Sequence, residues 1–347
     1  SPALAALDAL SVSTQPAVVI ESSLTLLDYR LLEIAGTPPG LDSLSKAEPA
    51  LVVALANDGA SKPEIRLAAA EAAARLNALP PDALAALYSA LGQSVPAASL
   101  LIPPQVSTPQ YRAALFKAIE IERVPKAKAD LIQVLIASAR HSGFGYQAMR
   151  LVARAAAQLK PAPELTGFID TAAQIGLASG NLDFARAFAV SAPARPNPWP
   201  SLIASADPAA QPLADDFAAL EALAQRNRFA PETLHRLVTV LDALGYLVPI
   251  PLWDSANRSP QPVSGYLPET GVLPALQQAS IKQEFGHTVL LVMKTLGPDG
   301  PEGANLIALG DSIRALKRAG LDADAKRMGV EALLAHWPSI NAASQPR

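Results

Sequence analysis

Gly180-Asn181-Leu182-Asp183-Phe184-Ala185, running on to Ala192, and Gly320-Leu321-Asp322-Ala323-Asp324-Ala325, running on to Ala332, share one spacing. In both, a glycine closes a helix, and alanines follow five and twelve residues later. Glycine reverses the chain after a helix at the least steric cost, and small residues at helical spacing let the returning helix lie close. The spacing predicts pairs of antiparallel helices, the building unit of an α-solenoid.

The rest of the chain fits that unit. Half of the 347 residues are hydrophobic but only 5% are aromatic, and alanine, the strongest helix former, fills the difference. The 32 prolines fall mostly at segment starts or between apolar-periodic runs, where a missing N–H costs little. Ser61-Lys62-Pro63-Glu64 reads as a capping box, followed by a stripe of Ile65, Ala69, Ala72, Leu76 and Leu79 with Glu71 and Arg75 paired outside. Asp82 is placed to cap the next stripe, Leu84, Leu87, Tyr88 and Leu91. Further helices are expected from Thr108-Pro109, Pro125, Pro231 and Leu306, and a last one, capped by Asp322, runs up to Trp337 and Pro338. The expected fold is all-α: roughly fourteen helices in a right-handed α-solenoid or superhelix of antiparallel hairpins.

Two Pro-rich segments interrupt the rhythm. Residues 191–212, from Pro193 to Pro212, read as a linker between a helical-repeat block at 1–190 and a second block at 213–347. Residues 246–275 read as a loop inserted in the second block. Its Trp253 and Tyr266 are candidate contact aromatics, with a packed strap as the plainer alternative.

Residues 167–192 and 307–333 resemble tetratricopeptide repeats. Gly180, Ala185 and Ala192, and Gly320, Ala325 and Ala332, stand at the turn and at the small packing positions of such repeats. Ala173 suits the small position on the first helix, whereas the second copy has Ile313 there. The copies lie 140 residues apart, which is not a multiple of the 34-residue period, so a degenerate array is expected. The resemblance implies a scaffold that holds a peptide or protein, and it carries no catalytic residues across.

Chemistry-bearing patterns are few. There is no cysteine, which excludes disulfides and thiolate metal sites. His141, His235, His287 and His336 form no metal-binding spacing. His141 is expected at a helix C-terminus, and His287 is the best lone site candidate, with a helix-start role as the alternative. Ser142-Gly143-Phe144-Gly145-Tyr146 reads as an elbow between helices and not as a phosphate cradle. Asp215-Asp216 and Glu120/Glu122 are the closest carboxylate pairs, and Glu120 and Glu122, two residues apart, point to different sides of a helix. No catalytic residue, metal or cofactor is expected.

Charge is uneven. Residues 1–100 carry ten acidic and five basic residues, whereas 101–160 carry three acidic and nine basic. Arg112, Lys117, Arg123, Lys126, Lys128, Arg140, Arg150 and Arg154 make a candidate basic band for an acidic protein or peptide partner, with a solvated face as the plainer alternative. Sparse aromatics there argue against nucleic acid. No apolar run approaches the ~20 residues of a membrane span. The abundance of Ala, Pro and Arg suggests a bacterial source, and the start at Ser1-Pro2 a chain either processed or recombinantly trimmed. The expected function is a non-enzymatic scaffold in a bacterial cell-envelope assembly, periplasmic or alternatively cytoplasmic. The other class considered is a helical-toroid enzyme or binding protein for an envelope polymer. It calls for a pocket with two acidic groups near Trp253 or Tyr266.

Overall fold

The computed structural model describes residues 24–37, 39–192, 196–335 and 337. Among them are nineteen α-helices, three short 3-10 helices and no strand, so the chain is all-α. It divides into two units, residues 1–152 and 153–347. Ser1-Pro2, Pro193, His336 and Pro338 lie outside the described residues.

The first unit comprises α1 (Leu26–Ile34), α2 (Pro49–Asn57), α3 (Pro63–Arg75), α4 (Pro81–Leu91), α5 (Ala97–Leu100), α6 (Pro109–Ile121), α7 (Pro125–His141) and α8 (Gly145–Ala156), whose last turn enters the second unit. Proline occupies the first turn of α2, α3, α4, α6 and α7, where its fixed φ favours the helix and its missing N–H has no intrahelical partner to lose. Consecutive members pack on one another, α2 on α3, α3 on α4, α4 on α6 and α6 on α7, and α3 also reaches α6.

Three local expectations are corrected. Ser61 makes no capping box, because its hydroxyl turns back to Asp58 Oδ2 (2.7 Å) and Lys62 is the N-cap. Asp82 lies in the first turn of α4 and Pro80 is its N-cap. Glu71 does not face solvent beside Arg75. Alanines 69, 70, 72, 73 and 74 keep α3 thin on every side, so α4 and α6 cover Glu71 as well.

The second unit comprises α9 (Ile169–Ser179), α10 (Leu182–Val190), α11 (Trp199–Ala206), α12 (Ala218–Gln225), α13 (Pro231–Ala243), α14 (Ile250–Asn257), α15 (Val272–Ile281), α16 (Phe285–Leu296), α17 (Gly300–Gly303), α18 (Leu306–Arg318) and α19 (Asp322–Ala335). The two motif hairpins, α9–α10 and α18–α19, both lie here, and α9 packs on α19. Gly180 and Gly320 adopt φ of 74° and 84°, the left-handed conformation the turn requires. Asn181 caps α10 by accepting from Phe184 N (3.2 Å). Ala185, Ala325 and Ala332 are fully buried, but Ala192 falls beyond α10, which ends at Val190.

The segment 191–212 is not simply an extended linker. Pro200 starts α11, which packs on α9, α10 and α19. Trp199 is buried, donates from Nε1 to Asp170 Oδ1 (2.7 Å) and meets the ring of Trp337 at 5.9 Å. The buried Lys326 Nζ then closes the following turn by donating to the carbonyls of Asp207 (2.7 Å) and Ala210 (3.0 Å).

Tyr246 lies beside that ammonium and donates to the Ser205 carbonyl (3.0 Å). Burial, then the charges of Asp322 and Asp207, push its hydroxyl from 10.0 up to about 12. An unfolded tyrosine ionises near ~10, so this contribution to stability is whole below that pH and is lost as pH rises toward the folded value. Tyr246→Phe is therefore expected to flatten the decline of the second unit's melting temperature across that alkaline window. Equal slopes in both proteins would count against the assignment.

Candidate functional site: a basic elbow in the first unit

The eight basic residues of the expected band do not form one surface. Arg112 and Lys128 are buried, which removes both from it. Arg112 Nη2 and Nε meet the two carboxylate oxygens of Glu71 at 2.5 and 2.8 Å, a bidentate pair. Tyr88 donates to the same carboxylate (2.6 Å), and Arg112 Nη1 donates to Ser107 Oγ (3.0 Å) and Ser138 Oγ (3.3 Å). Burial raises the Tyr88 hydroxyl, and the adjacent Glu71 charge raises it further. Lys117 is half-buried and donates to the Gly92 carbonyl (3.0 Å). Arg123, Lys126, Arg140, Arg150 and Arg154 are exposed. Lys126 stands in the first turn of α7, where it pairs with Asp130. Arg140 stands in its last, roughly 20 Å further along the axis. The surface charge is split in two.

The second patch surrounds the Ser142–Gly145 elbow. After His141, the N–H groups of Gly143 and Phe144 return to the carbonyls of Arg140 and Ala139 (both 3.1 Å), and Gly143 takes φ of 76°. A side chain at Gly145 would collide with Arg140 Cγ, so glycine lets α8 begin directly against the end of α7. Beneath the elbow Phe144 is buried, and the Arg112 guanidinium lies 5.4 Å from its ring centre. The buried ion pair therefore supports the elbow from below.

Three helix ends place cationic groups around it. Arg75, in the last turn of α3, comes within 3.5 Å (through Cδ) of where a Gly143 side chain would begin. Asn77, at φ of 55°, accepts from Gln147 Nε2, and Gln147 Oε1 accepts from Arg150 (3.2 Å). Arg140 completes the group, beside His141, whose Nδ1 lies 2.8 Å from the Ala137 carbonyl. Arg75 and Arg140 border the elbow through their side-chain stems, and Arg150, the sixth residue of the twelve-residue α8, is tied through Gln147 to Asn77; arginines so grouped favour carboxylate groups. Arg154 stands one turn beyond Arg150, in the second unit.

In the second unit, Trp253 on α14 and Tyr266 are each a little over one-third exposed. The segment 246–275 carries α14, introduced by Pro249 and Pro251, so it is not one long loop. Its distal part is a strap: Tyr266 N donates to Gly303 O (2.9 Å) and Asn305 N to Tyr266 O (3.0 Å). The Tyr266 ring occupies the space a side chain at Gly297 would need. A small cavity elsewhere in this unit, with room for about one water, is lined by Leu177, Leu202, Val240, Leu333 and Lys326 among others; neither Trp253 nor Tyr266 borders it. His235 Nε2 lies 3.1 Å from Ser259 Oγ, and His287, in the first turn of α16, pairs with Glu284 (2.8 Å). That hydrogen bond holds the Glu284 carboxyl below its usual range.

Sequence reasoning missed Arg75, because a helical stripe assigns it to Glu71 and says nothing of an elbow seventy residues away. The glycines at 143 and 145 were the available signal. Among the described residues no group of His, Asp and Glu is arranged to hold a metal ion, and no helix is long and apolar enough to cross a membrane. No family model, no curated protein and no solved structure matches the chain.

Proposed function

We propose that this chain is a helical protein-interaction scaffold whose basic elbow receives an acidic segment of a partner protein. The observation that carries it is the grouping of Arg75 and Arg140, whose stems line the glycine-built turn, with Arg150 on the helix that leaves it, over a buried foundation. Long-range attraction comes from the excess of basic residues in 101–160, and specificity from guanidinium geometry, which suits carboxylates. The right-handed solenoid belongs to this proposal; consecutive packing of helices in the first unit supports it. So does a role in a bacterial cell-envelope assembly in the periplasm, for which the Ala-, Pro- and Arg-rich composition is the support.

The test is binding of a fluorescent poly-glutamate peptide, with a poly-glutamine peptide as control. The Arg140→Glu/Arg150→Glu protein is expected to lose roughly tenfold or more in affinity, and the loss should shrink as salt rises. Arg123→Glu/Lys126→Glu, at the other end of α7, should lose much less. Equal losses from the two pairs, or tighter binding of single-stranded DNA than of the peptide, would contradict the assignment.

A further inference from the structure

Helix α16 exposes more large apolar side chains than a surface helix usually does. Its buried face carries Thr288, Val292, Thr295 and Leu296, while Phe285, Val289, Leu290 and Met293 face solvent. Ile281, at the end of α15, is exposed beside them. Helices α16 and α18 pack together, and each carries a buried hydroxyl, Thr288 and Ser312, that makes no hydrogen bond among the described residues. The buried face thus mixes two threonines with Val292 and Leu296, while four large apolar side chains of the same helix are left in water.

We propose that this outward face is the interface between two copies of the chain. Phe285, Val289 and Met293 are spaced i, i+4, i+8, so the stripe is symmetric about Val289. A two-fold axis through Val289 sets each Phe285 against Met293 of the other copy and makes the patch self-complementary, as an isologous interface requires. Tyr266, packed on Gly297, extends the Met293 end and faces the Ile281 end of the second copy.

Exposures of 54% for Phe285, 40% for Val289, 66% for Leu290, 64% for Met293 and 61% for Ile281 correspond to about 500 Å² of apolar surface per copy, in the upper part of the range for a monomer; burying it in both copies would reach about 1,000 Å², the lower limit for a specific dimer. A lipid surface fits less well. The charges bordering the patch, Lys282 and Lys294 against Glu269 and Glu284, cancel, leaving no attraction to anionic headgroups.

Sedimentation velocity of the whole chain at about 100 μM is expected to give twice the 36.1 kDa chain mass, and Leu290→Glu/Met293→Glu to give a monomer with unchanged helical circular dichroism. Because the chain has no cysteine, Val289→Cys supplies a single thiol at the axis and should oxidise to a covalent dimer, whereas Glu33→Cys on α1 should not. A monomeric wild-type mass at that concentration would overturn the proposal. So would equal oxidation of the two cysteine variants, or a monomer that floats with phosphatidylglycerol vesicles through Leu290 and Met293.

Discussion

Glu71→Ala is expected to destabilise the first unit by about 3–5 kcal/mol, the largest effect of any single substitution considered, because it leaves the Arg112 guanidinium buried without its carboxylate. Arg112 would keep only Ser107 and Ser138 as acceptors, and Tyr88 would lose its own. Taking both ions out of water already costs much of what their attraction returns. Removing the whole polar set should therefore be far milder than removing half of it. Glu71→Met/Arg112→Met/Tyr88→Phe is expected to recover most of the stability that Glu71→Ala loses. Thermal unfolding of the two proteins measures the asymmetry. A triple variant as unstable as the single one would show that the pair itself, and not the cost of orphaning a charge, holds the helices together.

Gly176→Val should cost about 3 kcal/mol in the second unit, and Gly176→Ala about 1 after the gain in helix propensity is set against it. A Cβ at 176 would stand 2.6 Å from Ala185 Cβ and 2.9 Å from the backbone at Ala185 N and Asn181 O. Helices α9 and α10 must separate to admit it. Ala185→Gly added to Gly176→Ala is expected to restore part of the loss but not all, since the two backbone contacts persist. A Gly176→Val protein that melts with the wild type would mean that the hairpin is looser than its geometry states.

Helices, their proline-led starts and the left-handed glycines were legible in the sequence because local sterics decide them. Gly180 and Gly320 turn the chain as expected. What the repeated spacing did not reveal is that the two hairpins differ inside. The closest approach in the first is at Gly176, four residues before the turn, where the second has the buried Leu316. The Pro-rich segments were read as loops since proline punctuates; in 198–206 and 249–257 it starts helices, and a buried Trp199 makes one of them core. The basic band was half legible. Net charge along the chain found the region, but burial of Arg112 and Lys128 depends on which helices cover α3 and α6, and on tertiary packing that periodicity does not encode. The outward stripe of α16 was not read from the sequence, since nothing local says which of two apolar-looking faces will be buried.

Hydrogen exchange of the whole chain with and without a poly-glutamate peptide addresses the elbow most directly. The expected result is slowed exchange in the amides of 142–150 and 75–78, abolished by Arg140→Glu/Arg150→Glu, with α16 unaffected. Protection centred elsewhere, or unchanged by those two substitutions, would contradict the assignment of the elbow as the acidic-partner site.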